Sequence, residues 1–174
     1  CPLFKQAKQV AWDMAKHYSR VIPGTIFNEA ELRVDYPNGG RLQLFGADNA
    51  DALRGIYLDG VVLDEYAQMS PRAWSEVLRP ALSDRKGMAI FIGTPQGHNS
   101  FYDLYERASE LKGWHREMYK ASETSLLDVE ELEAMEAEMS EDEYAQELEC
   151  SWTAGMKGAL WDKELKQIES TRKT

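Results

Sequence analysis

Cysteine is scarce in this chain. Only Cys1 and Cys150 occur in 174 residues, far apart, with no CxxC spacing and no histidine pair nearby. That excludes a disulfide framework and offers no zinc-ligand pattern, so both are expected to be free thiols. No apolar run approaches the length needed to span a bilayer, and the N-terminus lacks the basic-then-apolar layout of a secretory signal. Positive charge is missing from one whole segment: from Ser122 to Glu149 there are twelve Asp or Glu and no Lys or Arg. The other eighteen acidic residues nearly balance the twenty basic ones, so the net charge of -10 belongs to that segment. A solvated helix face is its expected place. Phosphate contact needs clustered positive charge, so this stretch is not expected to lie on nucleic acid. There is no internal repeat and no low-complexity tract.

What is present has the length and composition of one globular domain with a real core. "LFKQAKQVAWDMAKHYSRVI" places Leu3, Ala7, Val10, Ala11, Met14 and Ala15 at helical spacing and stops before Pro23-Gly24, which predicts an amphipathic helix. "ELRVDYPNGGRLQLFGA" alternates on either side of Pro37-Asn38-Gly39-Gly40, the signature of a hairpin. "LDGVVLDEY" predicts a strand. Ser70-Pro71 then opens a helix over "PRAWSEVLRPALSDR", with Ser70 as its N-cap, and Gly87 ends it. "GMAIFIGTPQG" predicts a second apolar strand and "SFYDLYERASELKG" another helix. "WHREMYKAS" alternates weakly and predicts a short strand. The acidic "LDVEELEAMEAEMSEDEYAQELECSW" predicts one long helix or two short ones, and the tail from residue 156 reads as a linker.

The stretch "GVVLDEYAQM" carries the chemistry. Val61, Val62 and Leu63 fit a strand covered on both faces, as in a parallel sheet packed by helices. Asp64 and Glu65 then fall at its C-terminal end, the edge where open parallel sheets bind ligands. Acidic residues there can hold a metal ion or orient a water; the alternative is a plain polar strand end. Two apolar strands separated by one helix, the first ending in Asp-Glu and the second in Gly93-Thr94-Pro95, narrow the choice.

That ordered pattern resembles a P-loop ATPase with a catalytic glutamate beside the Walker B aspartate. More narrowly, "LRGIYLDGVVLDEYAQM", "RPAL", "GTPQGHNSFYDLYERA" and "YAQELECSW" are similar to the large terminase subunit of tailed bacteriophages, over about Leu3 to Leu160. The resemblance implies an α/β, three-layer P-loop NTPase fold of the ASCE, RecA-like kind, with a mainly parallel sheet. It implies that Asp64 holds Mg²⁺ through water and that Glu65 polarises the water attacking the γ-phosphate of ATP. A divalent cation and its phosphates would make the two adjacent negative charges tolerable. Gly93 and Thr94 match the motif that senses the γ-phosphate; a strand-ending turn is the alternative. Arg54 matches a proposed arginine finger reaching a neighbouring subunit; a surface arginine pairing with Asp48 or Asp51 is the alternative. His98 and Asn99 are expected as an exposed loop pair.

The sequence also departs from that family. No G-x-x-x-x-G-K-[ST] occurs, and Gly39-Gly40-Arg41 follows a hairpin strand without opening a helix, so the phosphate cradle is absent. With Cys rather than Met first, the expectation is a fragment: a partial ATPase domain over 1-155 and a linker over 156-174 leading toward a nuclease domain. Missing sheet elements would leave apolar surface open. The implied partners of the intact protein are double-stranded DNA, the portal protein, the small terminase subunit and further copies in a ring, with no membrane. Its implied place is the host cytoplasm, at the procapsid portal vertex during packaging. Alternatives are a RecA-like helicase or translocase, a non-catalytic prophage remnant serving as an interaction module, and an acidic adaptor.

Overall fold

The computed structural model describes residues 1–154. The chain forms two compact units, Cys1–Gly93 and Thr94–Thr174.

In the first unit the predicted N-terminal helix is present with one break. Helix α1 (Phe4–Val10) and helix α2 (Trp12–Ser19) meet at Ala11, where φ falls to -104°. Trp12 explains the geometry: its indole is buried with Leu32 and Val34, and Ala15, Phe27, Tyr36 and Leu44 pack around that cluster. At the rim, Trp12 Nε1 donates to Glu29 Oε2 at 2.6 Å. Lys16 Nζ pairs with the same carboxylate at 3.1 Å. The predicted hairpin is also there, as β2 (Arg33–Asp35) and β3 (Arg41–Gln43). Gly39, at φ 83°, makes its turn, and Tyr36 N donates to Gly40 O across it. A strand not foreseen from the sequence, β1 (Ile26–Asn28), pairs with β2, giving an antiparallel sheet in the order β1-β2-β3.

The parallel pair follows. Strands β4 (Gly60–Leu63) and β5 (Met88–Phe91) run side by side with Leu63 opposite Phe91. The connection is a 3₁₀ turn, Tyr66–Gln68, and then a helix whose first part is π-helical, Ala73–Leu78, before α3 (Arg79–Ser83). Pro80 explains the change of pitch. It has no N–H to donate and its ring crowds the carbonyl one turn back, so the preceding turns widen, and Arg79 N bonds Trp74 O, five residues earlier. Leu53, Leu63, Tyr66, Met69, Ala73, Val77, Leu78 and Leu82 are buried in this half of the unit.

Two expectations change here. Among the described residues only β4 and β5 are parallel, and the other three strands form a separate antiparallel sheet, so one mainly parallel sheet is not what these residues build. Nor, among the described residues, is the parallel pair covered on both faces. Phe91 packs against Tyr66 and Trp74 on one side, but Val62, Met88, Ile90 and Ile92 on the other are 56%, 62%, 41% and 50% exposed.

The described residues of the second unit form three helices: α4 (Ser100–Ala108), α5 (Val129–Glu138) and α6 (Glu141–Glu147). The acidic segment resolves into two short helices because Met139 and Ser140 are extended and Ser140 forms a capping box with Glu143. The predicted strand over Trp114–Ala121 does not form. Its side chains are spent elsewhere: Arg116 donates to Tyr105 O at 2.9 Å, and the segment ends in a 3₁₀ turn, Ala121–Glu123. The predicted linker lies outside the described residues.

Candidate functional site

The candidate site is the C-terminal edge of the parallel pair. The ladder continues past the strands, with Ile92 N bonding Leu63 O at 2.9 Å and Tyr66 N bonding Ile92 O at 3.0 Å. Both strands therefore end together, and Asp64 and Glu65 sit across the ladder from Ile92, one residue before Gly93. The structure brings Asp64, Glu65 and Gly93 to one edge. Thr94, one peptide bond further, is the first residue of the second unit.

Glu65 is the strained residue of the site. Its φ of 56° and ψ of 45° are left-handed, a conformation that costs a residue with a Cβ about 1–2 kcal/mol. Several bonds hold it there: the ladder on one side, and on the other the 3₁₀ turn, in which Gln68 N donates to Glu65 O and Met69 N to Tyr66 O. The turn carries the chain away from the sheet and leaves the Glu65 carboxylate partly exposed, with Gln68 Nε2 at 3.4 Å. Strain kept at a carboxylate is a feature of sites where the side chain's position matters more than backbone comfort.

Asp64 is partly buried and accepts a hydrogen bond from Cys1 Sγ at 3.1 Å. No group of three or more metal-ligating side chains occurs among the described residues. A single carboxylate suits magnesium held through its own water shell, because that small ion keeps several waters and borrows its remaining ligands from phosphate. The residues present fit such an ion at Asp64; the sequence carries no G-x-x-x-x-G-K-[ST] loop to cradle the phosphates.

Arg54 lies at the end of a 3₁₀ turn, Ala50–Leu53, which packs against the π-helical segment. Its guanidinium bonds Asp51 at 2.7 Å and reaches Glu76 at 3.8 Å, so the surface pairing with Asp51 is present in the single chain. About half of its side chain is exposed.

In the second unit, Asn99 is the N-cap of α4: its side-chain oxygen accepts from Phe101 N at 2.9 Å and Tyr102 N at 3.3 Å. The expected exposed loop pair is thus half right. His98 is exposed, but its ring stacks on Tyr102 at 4.1 Å. An Asn directly before a helical pattern is a capping signal that the sequence did contain.

Residues 2–168 match the family described as terminase large subunit, T4likevirus-type, N-terminal. The terminase large subunit of Thermus phage G20c is 47% identical over 68 residues, which are 39% of this chain and 13% of that protein. That of Escherichia phage T5 is 26% identical over 139 residues, 78% of this chain and 32% of that protein. The chain thus spans well under half the length of these relatives. Two structures of the large terminase ATPase domain of Thermus phage P74-26 superpose on 87% of this chain and 74% of theirs. An arginine-to-alanine variant does so at a TM-score of 0.66 with 24% identity, and the unsubstituted domain at 0.59 with 25% identity. The chain belongs to the terminase large subunit family, in its T4-like N-terminal type.

Proposed function

We propose that this chain is part of the ATPase of a phage DNA-packaging motor, with Asp64 and Glu65 at the hydrolytic edge. The observation that carries the reading is the shared end of β4 and β5, where a strained glutamate follows an aspartate beside the strand leading to Gly93-Thr94. Family membership favours packaging over a helicase, a remnant interaction module or an acidic adaptor. When bound, Mg²⁺ with ATP would supply charge neutralisation at the γ-phosphate. Asp64 would hold the ion's water shell, and Glu65 would orient and polarise the attacking water from the fixed end of its turn. Thr94, leading from the tip of β5, would register loss of the γ-phosphate. Arg54 would leave Asp51 to reach a neighbouring subunit's nucleotide, since an exposed ion pair of this kind is worth only about 0–1 kcal/mol.

The intact protein, on this reading, drives double-stranded DNA into the procapsid as a ring at the portal vertex in the host cytoplasm, together with the portal protein and the small terminase subunit. A nuclease activity would belong to another part of that protein. The 174 residues alone should show no magnesium-dependent ATP turnover. In a large subunit that joins this segment to a phosphate-binding loop, Glu65→Gln should lower turnover by roughly 10²–10⁴-fold with nucleotide binding retained. Turnover within about twofold of the parent would refute the assignment.

A further inference from the structure

Two stretches singled out in the sequence, "GTPQGHNSFYDLYERA" and "YAQELECSW", have no role so far except through Thr94. The fold of the second unit joins them. The Trp152 ring lies 5.5 Å from Phe101, 5.3 Å from Tyr102 and 5.8 Å from Tyr105, with the first two contacts edge-on. Phe101 and Tyr105 are one helical turn apart on α4, and Tyr102 is the residue on which His98 stacks, nearly parallel at 15°. One indole thus holds the first turn of α4, and that turn holds the loop before it by two means, the His98–Tyr102 stack and the Asn99 cap.

Trp152 is itself held in place. Cys150, at φ 55°, turns the chain two residues earlier, and its thiol donates to Tyr119 O at 3.3 Å. Ala121 N bonds Leu148 O at 2.7 Å, and Ser122 Oγ donates to Glu149 at 2.8 Å. The Arg116 guanidinium sits 4.6 Å over the Tyr105 ring. Helix α4 is thus contacted by both Arg116 and Trp152 at Tyr105.

We infer that Trp152 is a positioning residue for the loop from Thr94 to Asn99: through Tyr102 it fixes His98 and the start of α4, and so ties that loop to the turn at Cys150. The inference rests on the proposed role of Thr94 for its functional meaning, while its geometry stands without nucleotide. Loss of the Trp152 ring would loosen the loop, and an altered loop would shift Trp152. This gives the loop a mechanical connection that neither motif shows alone.

The test uses the 174-residue chain without nucleotide, so its outcome is independent of whether the chain takes part in ATP hydrolysis. Trp152→Leu keeps an apolar group there and loses the ring edge; Trp152→Phe keeps a ring. Amide hydrogen exchange is compared at Asn99, Phe101 and Tyr102, with Leu132 and Met139 of the α5 region as internal controls. The Leu variant should speed exchange at the first three by about tenfold or more, leave the controls unchanged, and abolish the upfield displacement of the His98 ring resonances by Tyr102. The Phe variant should restore all of these. Unchanged exchange at the loop, equal acceleration across the whole unit, or identical behaviour of Leu and Phe would each overturn the inference.

Discussion

Replacing Glu65 by glycine and, separately, by alanine separates strain at the strand end from loss of the carboxylate. Both variants lose the same contact with Gln68, so that term cancels between them. The left-handed backbone at φ 56° costs alanine about 1–2 kcal/mol and glycine almost nothing. Glycine gives back about 0.5–1 kcal/mol of that advantage through the greater freedom of its unfolded chain. The difference leaves Glu65→Gly about 0.8 kcal/mol more stable than Glu65→Ala. With a urea m-value near 2 kcal/mol/M, the two midpoints should lie about 0.4 M apart. Urea unfolding followed by tryptophan fluorescence reads this directly, because Trp74 packs against Phe91 beside the site. Glu65→Asn should fall between the two, since asparagine tolerates this region of backbone space better than alanine. A midpoint for alanine equal to or above that of glycine would show that the turn is not strained, and the argument that the carboxylate is kept there at a cost would fail.

Gly87 precedes β5 where a Cβ would stand 2.6 Å from Leu82 Cδ2 and 2.8 Å from Asp59 O, so Gly87→Ala should destabilise the unit by about 1–3 kcal/mol in thermal unfolding. Asn99→Ala removes the acceptor for two amides at the start of α4 and should cost about 1 kcal/mol, read from denaturant midpoints, with Asn99→Ser recovering most of it. The Glu29 carboxylate is held below its ordinary value of 4.5, first by the hydrogen bond from Trp12 and then by Lys16, and Asp35 is lowered by Arg41 and Arg33. Depressed carboxylates contribute stability that is present above their unfolded values and is lost as pH falls through the folded ones. Unfolding midpoints should therefore drop as the pH is taken below 4.5, and Trp12→Phe should flatten that drop; an unchanged acid slope would contradict the link.

How far the sequence could be read varied with the range of the interactions involved. The hairpin around Asn38-Gly39 and the start of the helix at Ser70-Pro71 follow from neighbouring residues and were legible. Strand β1 was not, because Ile26–Asn28 is too short to show a period and forms only by pairing with β2. The π-helical stretch before Pro80 was legible in principle, since a proline inside a helix must displace a carbonyl. At the site, Asp64, Glu65 and Gly93 could be placed on one edge from two apolar runs and their ends. The left-handed turn at Glu65, the Cys1 thiol on Asp64 and the role of Trp152 could not. Each depends on groups tens of residues apart or on a backbone angle that carries no residue signature when the residue is not glycine or asparagine.

The most direct test of the central claim is a structure of a large subunit carrying this segment together with magnesium and a non-hydrolysable ATP analogue. The predicted result has the Asp64 carboxylate about 4 Å from the metal, across one of its waters, and the Glu65 carboxylate within about 3 Å of a water in line with the γ-phosphate. Nucleotide seated away from the β4–β5 edge, with both carboxylates facing bulk solvent, would contradict it.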